Sequence, residues 1–161
     1  MTTDLNIICP CGQNINNKTA LYTHCCAPYH QASAIPVTPE QLMRSRYSAF
    51  VTQEYDYLIQ THHPDFLNGL TVNLLAESEE PHWLSLQIIS THTQGISGQV
   101  CFQAWYRDTS GLDAINECSQ FVCEDGKWFY TQGKQKAAVY PKRNEVCLCN
   151  SGKKYKQCCL V

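Results

Sequence analysis

The sequence predicts an α+β protein that carries a small cysteine-rich unit at each end. Residues 38–79 show helical periodicity, residues 83–131 contain strand-like apolar runs, and the same arrangement of four cysteines occurs near both termini. The chain has 161 residues, of which 43% are hydrophobic, enough to form one ordinary domain with small additions. We therefore expect an N-terminal unit at 1–34, a central domain at 35–140 and a C-terminal unit at 141–161.

The N-terminal unit contains a Cys-Pro-Cys sequence that thirteen residues separate from a pair of adjacent cysteines. Four thiols are the number that a tetrahedral site needs for one soft divalent metal. Adjacent cysteines have Cα atoms about 3.8 Å apart, which is shorter than the usual range for a disulfide. Near the second pair, His24 or His30 could replace one sulfur ligand. The predicted ligands are Cys9, Cys11, Cys25 and Cys26.

A linker at 31–37 precedes the first helix of the central domain. Thr38-Pro39-Glu40-Gln41 is a capping box with proline at the first helical position. At 100° per residue Arg46 projects into the apolar side of this helix, whereas Arg44 lies away from it. The apolar side consists of Leu42, Met43, Tyr47, Phe50 and Val51.

Two further helices and four strands are expected after this helix. Prolines end the helices, at His63-Pro64 and at Pro81, and Glu124-Asp125-Gly126 is typical of a hairpin turn. An antiparallel meander following helices is an α+β arrangement. The predicted helices cover residues 55–62 and 71–79, and the predicted strands cover residues 83–91, 99–106, 114–123 and 127–131.

The central domain contains a candidate pocket but no assigned catalytic residue. A buried guanidinium such as that of Arg46 must be paired or hydrogen-bonded. The Arg46 guanidinium either forms hydrogen bonds to acceptors within the protein or binds an anionic ligand. Tyr47, His62 and Trp83 complete the candidate pocket, although a lone histidine near a helix end is more often a cap or a surface residue. The sequence shows no Ser-His-Asp arrangement, phosphate-binding glycine loop or nucleotide fingerprint.

The C-terminal unit repeats the cysteine arrangement with a shorter spacing. Asn150-Ser151-Gly152 predicts a tight turn, residues 153–157 predict one helical turn, and Tyr155 is expected to pack on the unit. So small a unit lacks a hydrophobic core, so metal binding would supply its folding free energy. The predicted ligands are Cys147, Cys149, Cys158 and Cys159.

The string CLCNSGKKYKQCC resembles the SEC-C metal-binding motif, known from the C-terminal tail of the bacterial secretion motor SecA. Leu148 and Asn150 stand where that motif usually has Pro and Gly, but no ligand is lost. With a related motif at the N-terminus and LMRSRYSAF at 42–50, the chain resembles the YchJ family along its whole length. The resemblance implies a central nuclear-transport-factor-2-like cone between two SEC-C knuckles, and it implies no particular reaction. Cones of this kind often hold a ligand pocket.

Charge is distributed unevenly along the chain. Residues 1–133 carry five basic and thirteen acidic side chains, whereas residues 134–161 carry seven basic and one acidic side chain. A basic tail attracts an acidic or phosphate-rich partner, mostly by steering. We expect Lys153, Lys154 and Lys156 to bind a protein or ribonucleoprotein surface without sequence-specific DNA recognition. The alternative is a tail that only improves solubility.

The N-terminus lacks the basic and apolar regions of a signal peptide, and no run of residues is long and apolar enough for a membrane span. These features favour a cytoplasmic protein with reduced thiols, in which the remaining Cys101, Cys118 and Cys123 are core or inert thiols.

Four thiolates suit zinc, and they also suit mononuclear iron. We therefore predict a metal-binding adaptor, and the SecA resemblance implies a link to protein export, translation or quality control. The alternatives are an enzyme or small-ligand binder acting in the cone, and knuckles that are structural caps.

Overall fold

A four-stranded antiparallel sheet follows a series of short helices in the computed structural model, which describes residues 4–161. The α+β class expected from the sequence is confirmed. The helices are α1 (Ala27–His30), α2 (Pro39–Thr52), α3 (Tyr55–Gln60) and α4 (Val72–Glu77). A two-stranded hairpin of β1 (Asn14–Ile15) and β2 (Lys18–Thr19) precedes them, and the main sheet consists of β3 (His82–Gln94), β4 (Ser97–Asp108), β5 (Gly111–Glu124) and β6 (Lys127–Lys136).

The Thr38 cap predicted for α2 is confirmed, but the Gln41 side chain accepts from the Val37 backbone N–H at 2.9 Å and not from that of Thr38, as a full capping box requires. The Gln41 backbone N–H donates to the Thr38 hydroxyl at 3.1 Å, and Pro39 occupies the first turn. The helix ends at Thr52, and the left-handed φ of 61° at the next residue, Gln53, turns the chain so that the Glu54 N–H donates to the Ala49 carbonyl at 2.8 Å. The next two helices are shorter than expected because the chain leaves helical geometry several residues before each proline.

The main sheet is a meander with the strand order β3-β4-β5-β6. Asp125 and Gly126 both have positive φ, 51° and 78°, in the predicted hairpin turn. All four strands are longer than expected. Their added ends are mostly exposed, so the sequence has no apolar periodicity there.

The N-terminal unit is part of the main hydrophobic core. Cys9, Cys11 and Tyr22 are at most 2% exposed and pack in one cluster with Leu42 and Phe102 of the central domain. This arrangement differs from the separate appendage that the cysteine pattern alone predicts.

The C-terminal unit has a separate core. Trp105 in β4 is 1% exposed and packs with Cys147, Leu148 and Tyr155. The neighbouring β4 residue Ala104 belongs to the main cluster, so successive side chains reach opposite faces of the sheet. The helices and the C-terminal unit therefore cover different faces.

The prediction that Cys101 and Cys118 are core or inert thiols is wrong. They form a disulfide between β4 and β5, whose register places them directly opposite each other with Cα atoms 4.0 Å apart. Periodicity indicates a strand but not its register, so the sequence alone could not pair them. Cys123 remains a free, half-buried thiol.

Within residues 4–161, no helix has the length and apolar character required to cross a bilayer. The expectation about a signal peptide rests partly on residues 1–3, which lie outside the described part of the chain.

Candidate metal centres and interior cavity

The four N-terminal cysteines converge on one point. Their sulfur atoms all lie within 4.8 Å of one another. The Sγ of Cys11 is 3.5 Å from those of both Cys9 and Cys25, and the sulfurs of Cys25 and Cys26 are 3.9 Å apart. Three of these four residues are buried, so the group is shielded from solvent.

Hydrogen bonding within this group gives it thiolate character. Bonds from neighbouring thiols lower the pKa of Cys9 and of Cys11. Cys25 and Cys26 share their protons with Cys11, and this raises the pKa of each. Because the thiolate is the form that binds metal, a cation replacing the shared protons would be favoured.

Helix α2 fixes the N-terminal group through two polar side chains. Arg44 donates from Nη1 to the Cys11 carbonyl at 2.8 Å and pairs with Glu40 at 3.3 Å. Ser48 Oγ lies 3.6 Å from the Cys9 sulfur. Arg44 lies away from the apolar side of α2, as expected, but it is not an ordinary surface residue, because it supports the N-terminal unit.

His30 is occupied away from the sulfurs. Its Nε2–H donates to the Ser45 carbonyl at 2.8 Å, which leaves Nδ1 to accept from the Tyr22 hydroxyl at 2.6 Å. Burial lowers the pKa of His30, so the neutral form is favoured. The four sulfurs come together without His24 or His30.

The C-terminal cysteines form a second compact group. Their sulfurs also lie within 4.8 Å of one another, and Cys149 Sγ is 3.6 Å from that of Cys147 and 3.4 Å from that of Cys158. Burial acts to raise the pKa of Cys149, but hydrogen bonds from Ser151 and neighbouring thiols outweigh it and lower the pKa to about 6. Burial raises the pKa of Cys159 to about 12.

The turn predicted between the two C-terminal cysteine pairs is present. Asn150 and Gly152 both have left-handed φ, 62° and 80°, and a 3₁₀ turn over Tyr155–Gln157 leads into the second pair. The Ser85 hydroxyl in β3 donates to the Leu148 carbonyl, which anchors this unit on the sheet.

Both groups have the dimensions of a tetrahedral sulfur site. Zinc bound by thiolates has Zn–S distances of about 2.3 Å, which place tetrahedral sulfurs about 3.8 Å apart. The observed separations of 3.4–3.9 Å are close to this value. Each group could hold one metal ion, and a closed shell of four sulfurs leaves no position for a catalytic water.

Three residues of the candidate pocket line one cavity inside the central domain. Arg46, Tyr47 and Trp83 surround a volume of about 180 Å³ between α2 and the sheet. His62 lies outside this cavity and lines a surface groove on the other side of Tyr130, with ring centroids 5.0 Å apart. The prediction placed His62 in one pocket with these three residues, but His62 does not line the cavity that they share.

Comparisons with known proteins agree with this architecture. A family model described as "YchJ, middle NTF2-like domain" matches residues 38–133, and a SEC-C motif model matches residues 143–160. A UPF0225 protein from Shewanella sp. strain MR-7 is 46% identical over 94% of this chain and 95% of its own length. The chain belongs to the YchJ (UPF0225) family. A UPF0225 protein from Vibrio cholerae is 38% identical over 94% of this chain and 98% of its own.

Two solved structures resemble this YchJ-family chain. A SEC-C motif-containing protein from Psychrobacter arcticus is 30% identical, covers 96% of this chain and 97% of its own, and has a TM-score of 0.68. A SEC-C motif-containing protein from Rhodopseudomonas palustris is 29% identical over 80% of this chain and 98% of its own, with a TM-score of 0.70. The NTF2-like fold and the C-terminal SEC-C motif expected from the sequence are confirmed.

Sequence reasoning missed part of the cavity in this member of the YchJ family. Glu117, Ser119 and Tyr130 also line it, together with apolar side chains. The alternation of polar residues at 117 and 119 in a strand could have indicated one shared face. The sequence could not show that this face points inward, because the opposite face also carries polar residues, including the buried Asn116.

Proposed function

We propose that the protein is a cytoplasmic metal-binding adaptor whose C-terminal unit docks on an acidic or phosphate-rich surface of a protein or ribonucleoprotein. The eight cysteines of the two groups would each ligate a metal through sulfur, with zinc as the first candidate and iron as the second. The resemblance to SecA tails supports a role near protein export, translation or quality control.

One observation carries the docking proposal: backbone pairing in the C-terminal unit gathers basic residues that are separated in sequence. The Lys156 N–H donates to the Arg143 carbonyl at 3.0 Å, and the Cys147 N–H donates to the Lys153 carbonyl at 2.8 Å. Val146 and Lys154 form an isolated antiparallel bridge. Two segments are thus held side by side, and both present cationic side chains.

Most of this basic surface is open to solvent. Lys142, Arg143, Lys153 and Lys154 are exposed, and Lys156 is half-buried. The single acidic residue of the unit, Glu145, accepts a hydrogen bond from the Lys142 backbone N–H at 2.8 Å. A compact cationic surface of this kind favours encounter with anionic partners and becomes weaker with salt.

Metal would contribute indirectly to docking. The basic residues lie on turns that begin or end at the cysteines, so loss of metal would release them into a flexible segment. Ordering that segment on binding costs conformational entropy. Affinity should therefore depend on a metal ion that does not touch the partner.

A crosslinking pull-down from cell lysate tests the proposal. The intact chain should recover a partner that a chain ending at Tyr140 does not recover. A double variant, Lys153→Glu with Lys154→Glu, should lose most of this recovery at low ionic strength. The matched control, Lys18→Glu with Lys127→Glu, makes the same change in charge at exposed positions outside the unit and should retain it. Equal recovery by all four proteins would show that the tail only improves solubility or caps the sheet.

A further inference from the structure

The cavity in the central domain combines apolar walls with a polar end. Its walls include the aromatic rings of Tyr47, Phe50, Trp83 and Phe102. The volume of about 180 Å³ is somewhat larger than the 150 Å³ or so of an engineered cavity that binds benzene. An apolar group of amino-acid side-chain size would fit against these walls.

Glu117 supplies a negative group at the polar end. It is 8% exposed, and its Oε1 accepts from the Ser119 hydroxyl at 2.8 Å and the Tyr130 hydroxyl at 3.1 Å. Within residues 4–161, the one hydrogen bond to Oε2 is a long one of 3.4 Å from Gln135. Oε2 therefore retains capacity to accept from a ligand.

Gly133 has no side chain, and the Glu117 carboxylate lies in the space that a side chain there would fill. A Cβ built at position 133 would lie 1.8 Å from Glu117 Oε1. Any larger residue there would displace the carboxylate, so the position of Glu117 depends on a glycine in the neighbouring strand.

Arg46 supplies a positive group to the same cavity. It is 7% exposed, and the hydrogen bonds found for it in residues 4–161 use only Nη1, which donates to the Leu58 carbonyl at 2.8 Å and to Thr61 Oγ1 at 2.7 Å. Its Cζ lies 4.9 Å from the ring centroid of Tyr130. The remaining N–H groups of the guanidinium are left for a ligand.

The two charges do not neutralise each other by direct contact. Among the described residues, no carboxylate oxygen lies within 4.0 Å of the Arg46 guanidinium. Tyr130 is positioned between them, with its ring beneath the guanidinium and its hydroxyl on the carboxylate of Glu117. The cavity therefore holds separate positive and negative groups, and each favours the opposite charge on a ligand.

We propose that this cavity binds a small apolar amino acid, or another zwitterion of that size, with its carboxylate towards Arg46 and its ammonium group towards Glu117. A simple anion would face the buried Glu117, and a simple cation would face the buried Arg46. A zwitterion satisfies both groups, while its side chain fills the aromatic part of the cavity. This inference does not depend on metal binding or on docking by the C-terminal unit.

Calorimetric titration of the intact protein with matched probes tests the charge requirement. The probes are valine, leucine and phenylalanine, together with two leucine analogues: 4-methylpentanoate, which lacks the amine, and 3-methylbutylamine, which lacks the carboxylate. At least one amino acid should bind about tenfold more tightly than either analogue, because each analogue leaves one buried charge without a partner. Absence of binding by all three amino acids, or equal binding of an analogue and leucine, would overturn the proposal.

A substitution locates the site. Glu117→Gln keeps the shape of the side chain but removes its charge, so leucine affinity should fall about tenfold, whereas 4-methylpentanoate, which no longer faces a negative group, should bind at least as tightly as before. The matched control on the same strand is the exposed Asp113→Asn, which should change neither.

A measurement on the unmodified protein keeps the test independent of variant folding. The indole N–H resonance of Trp83, which lines the cavity, should shift on addition of the amino acid that binds. Binding without a change at Trp83, or unaltered leucine affinity in a folded Glu117→Gln protein, would place the ligand elsewhere.

Discussion

Arg46 shows how one side chain can be both a structural contact and part of the lining of a cavity. Burial lowers the pKa of its guanidinium to about 10, yet this value keeps the group charged at neutral pH. Bonds to Leu58 and Thr61 join α2 to α3, and the same side chain lines the interior cavity. The helical wheel therefore located the residue correctly: Arg46 bonds to protein acceptors and also faces the cavity, and its binding of an anionic group stays a prediction.

Replacing Arg46 with leucine should destabilise the fold. The change leaves the Leu58 carbonyl without its side-chain donor and removes the stacking on Tyr130, so we expect a loss of about 1–3 kcal/mol in unfolding free energy. The exposed Arg107→Leu is the control and should cost within about 0.5 kcal/mol. Denaturant midpoints measure both. Equal small losses in the two variants would show that Arg46 contributes little to stability.

Between elements, a single amide side chain positions the segment that leads to the C-terminal unit. Gln103 in β4 accepts from the Val139 N–H at 2.7 Å and donates to the Val139 carbonyl at 3.2 Å. Asn116 in β5 adds a bond to the Ala137 carbonyl at 2.9 Å. These contacts satisfy the backbone of residues 137–139 in the same way that a neighbouring strand would.

Removing this amide should loosen the segment without unfolding the central domain. In Gln103→Ala, amide hydrogen exchange at Val139 should accelerate by about tenfold or more, because its N–H loses its acceptor. Exchange within α2 should stay unchanged. The half-buried Gln99→Ala, on the same strand and in phase with Gln103, serves as the control. Unchanged exchange at Val139 in Gln103→Ala contradicts this account.

The disulfide between β4 and β5 should stabilise the protein measurably. Crosslinking residues 17 positions apart restricts the unfolded chain, and loop-closure estimates give about 3 kcal/mol as the scale of the effect. Adding a reductant should lower the denaturation midpoint of the natural chain but not that of a variant with Cys101→Ala and Cys118→Ala. If reductant shifts both midpoints equally, its effect comes from the other thiols.

Local signals in the sequence were reliable where the chemistry was local. The Thr38 cap, the Asp125-Gly126 turn and both cysteine groups were predicted because a few neighbouring residues determine each one. The contact between Cys101 and Cys118 and the inward face of Glu117 depend on strand register, which short-range patterns do not specify. The cavity was therefore only partly predicted: its residues from α2 and Trp83 of β3 were named, and those from β5 and β6 were not.

At the scale of the whole molecule, the two cysteine groups have unequal structural roles. The N-terminal group belongs to the main core, next to Leu42 and Tyr47 of α2. The C-terminal group belongs to a small satellite core on Trp105. Both groups offer four cysteine sulfurs, but only the N-terminal group supports the packing of the helices.

Metal removal should reveal this difference. Gently purified protein should carry two metal equivalents by elemental analysis, and Cys11→Ser and Cys149→Ser should each lose one. Cys11→Ser should also lower the main unfolding free energy by about 2 kcal/mol or more, whereas Cys149→Ser should change it by less than about 1 kcal/mol. A natural chain with no metal and eight titratable thiols in these groups would refute both assignments.

The shared core at the N-terminus also limits how the molecule can be divided. The segment matched by the middle-domain family model begins at residue 38, yet α2 is covered on one side by Cys9, Tyr22 and Ala27. A fragment starting at that boundary would expose apolar surface and should aggregate. The C-terminal unit, in contrast, could be exchanged or transplanted at the expense of uncovering Trp105. Only the C-terminal unit is therefore a separable module. Recombination could replace that unit while leaving the central cone and its cavity intact.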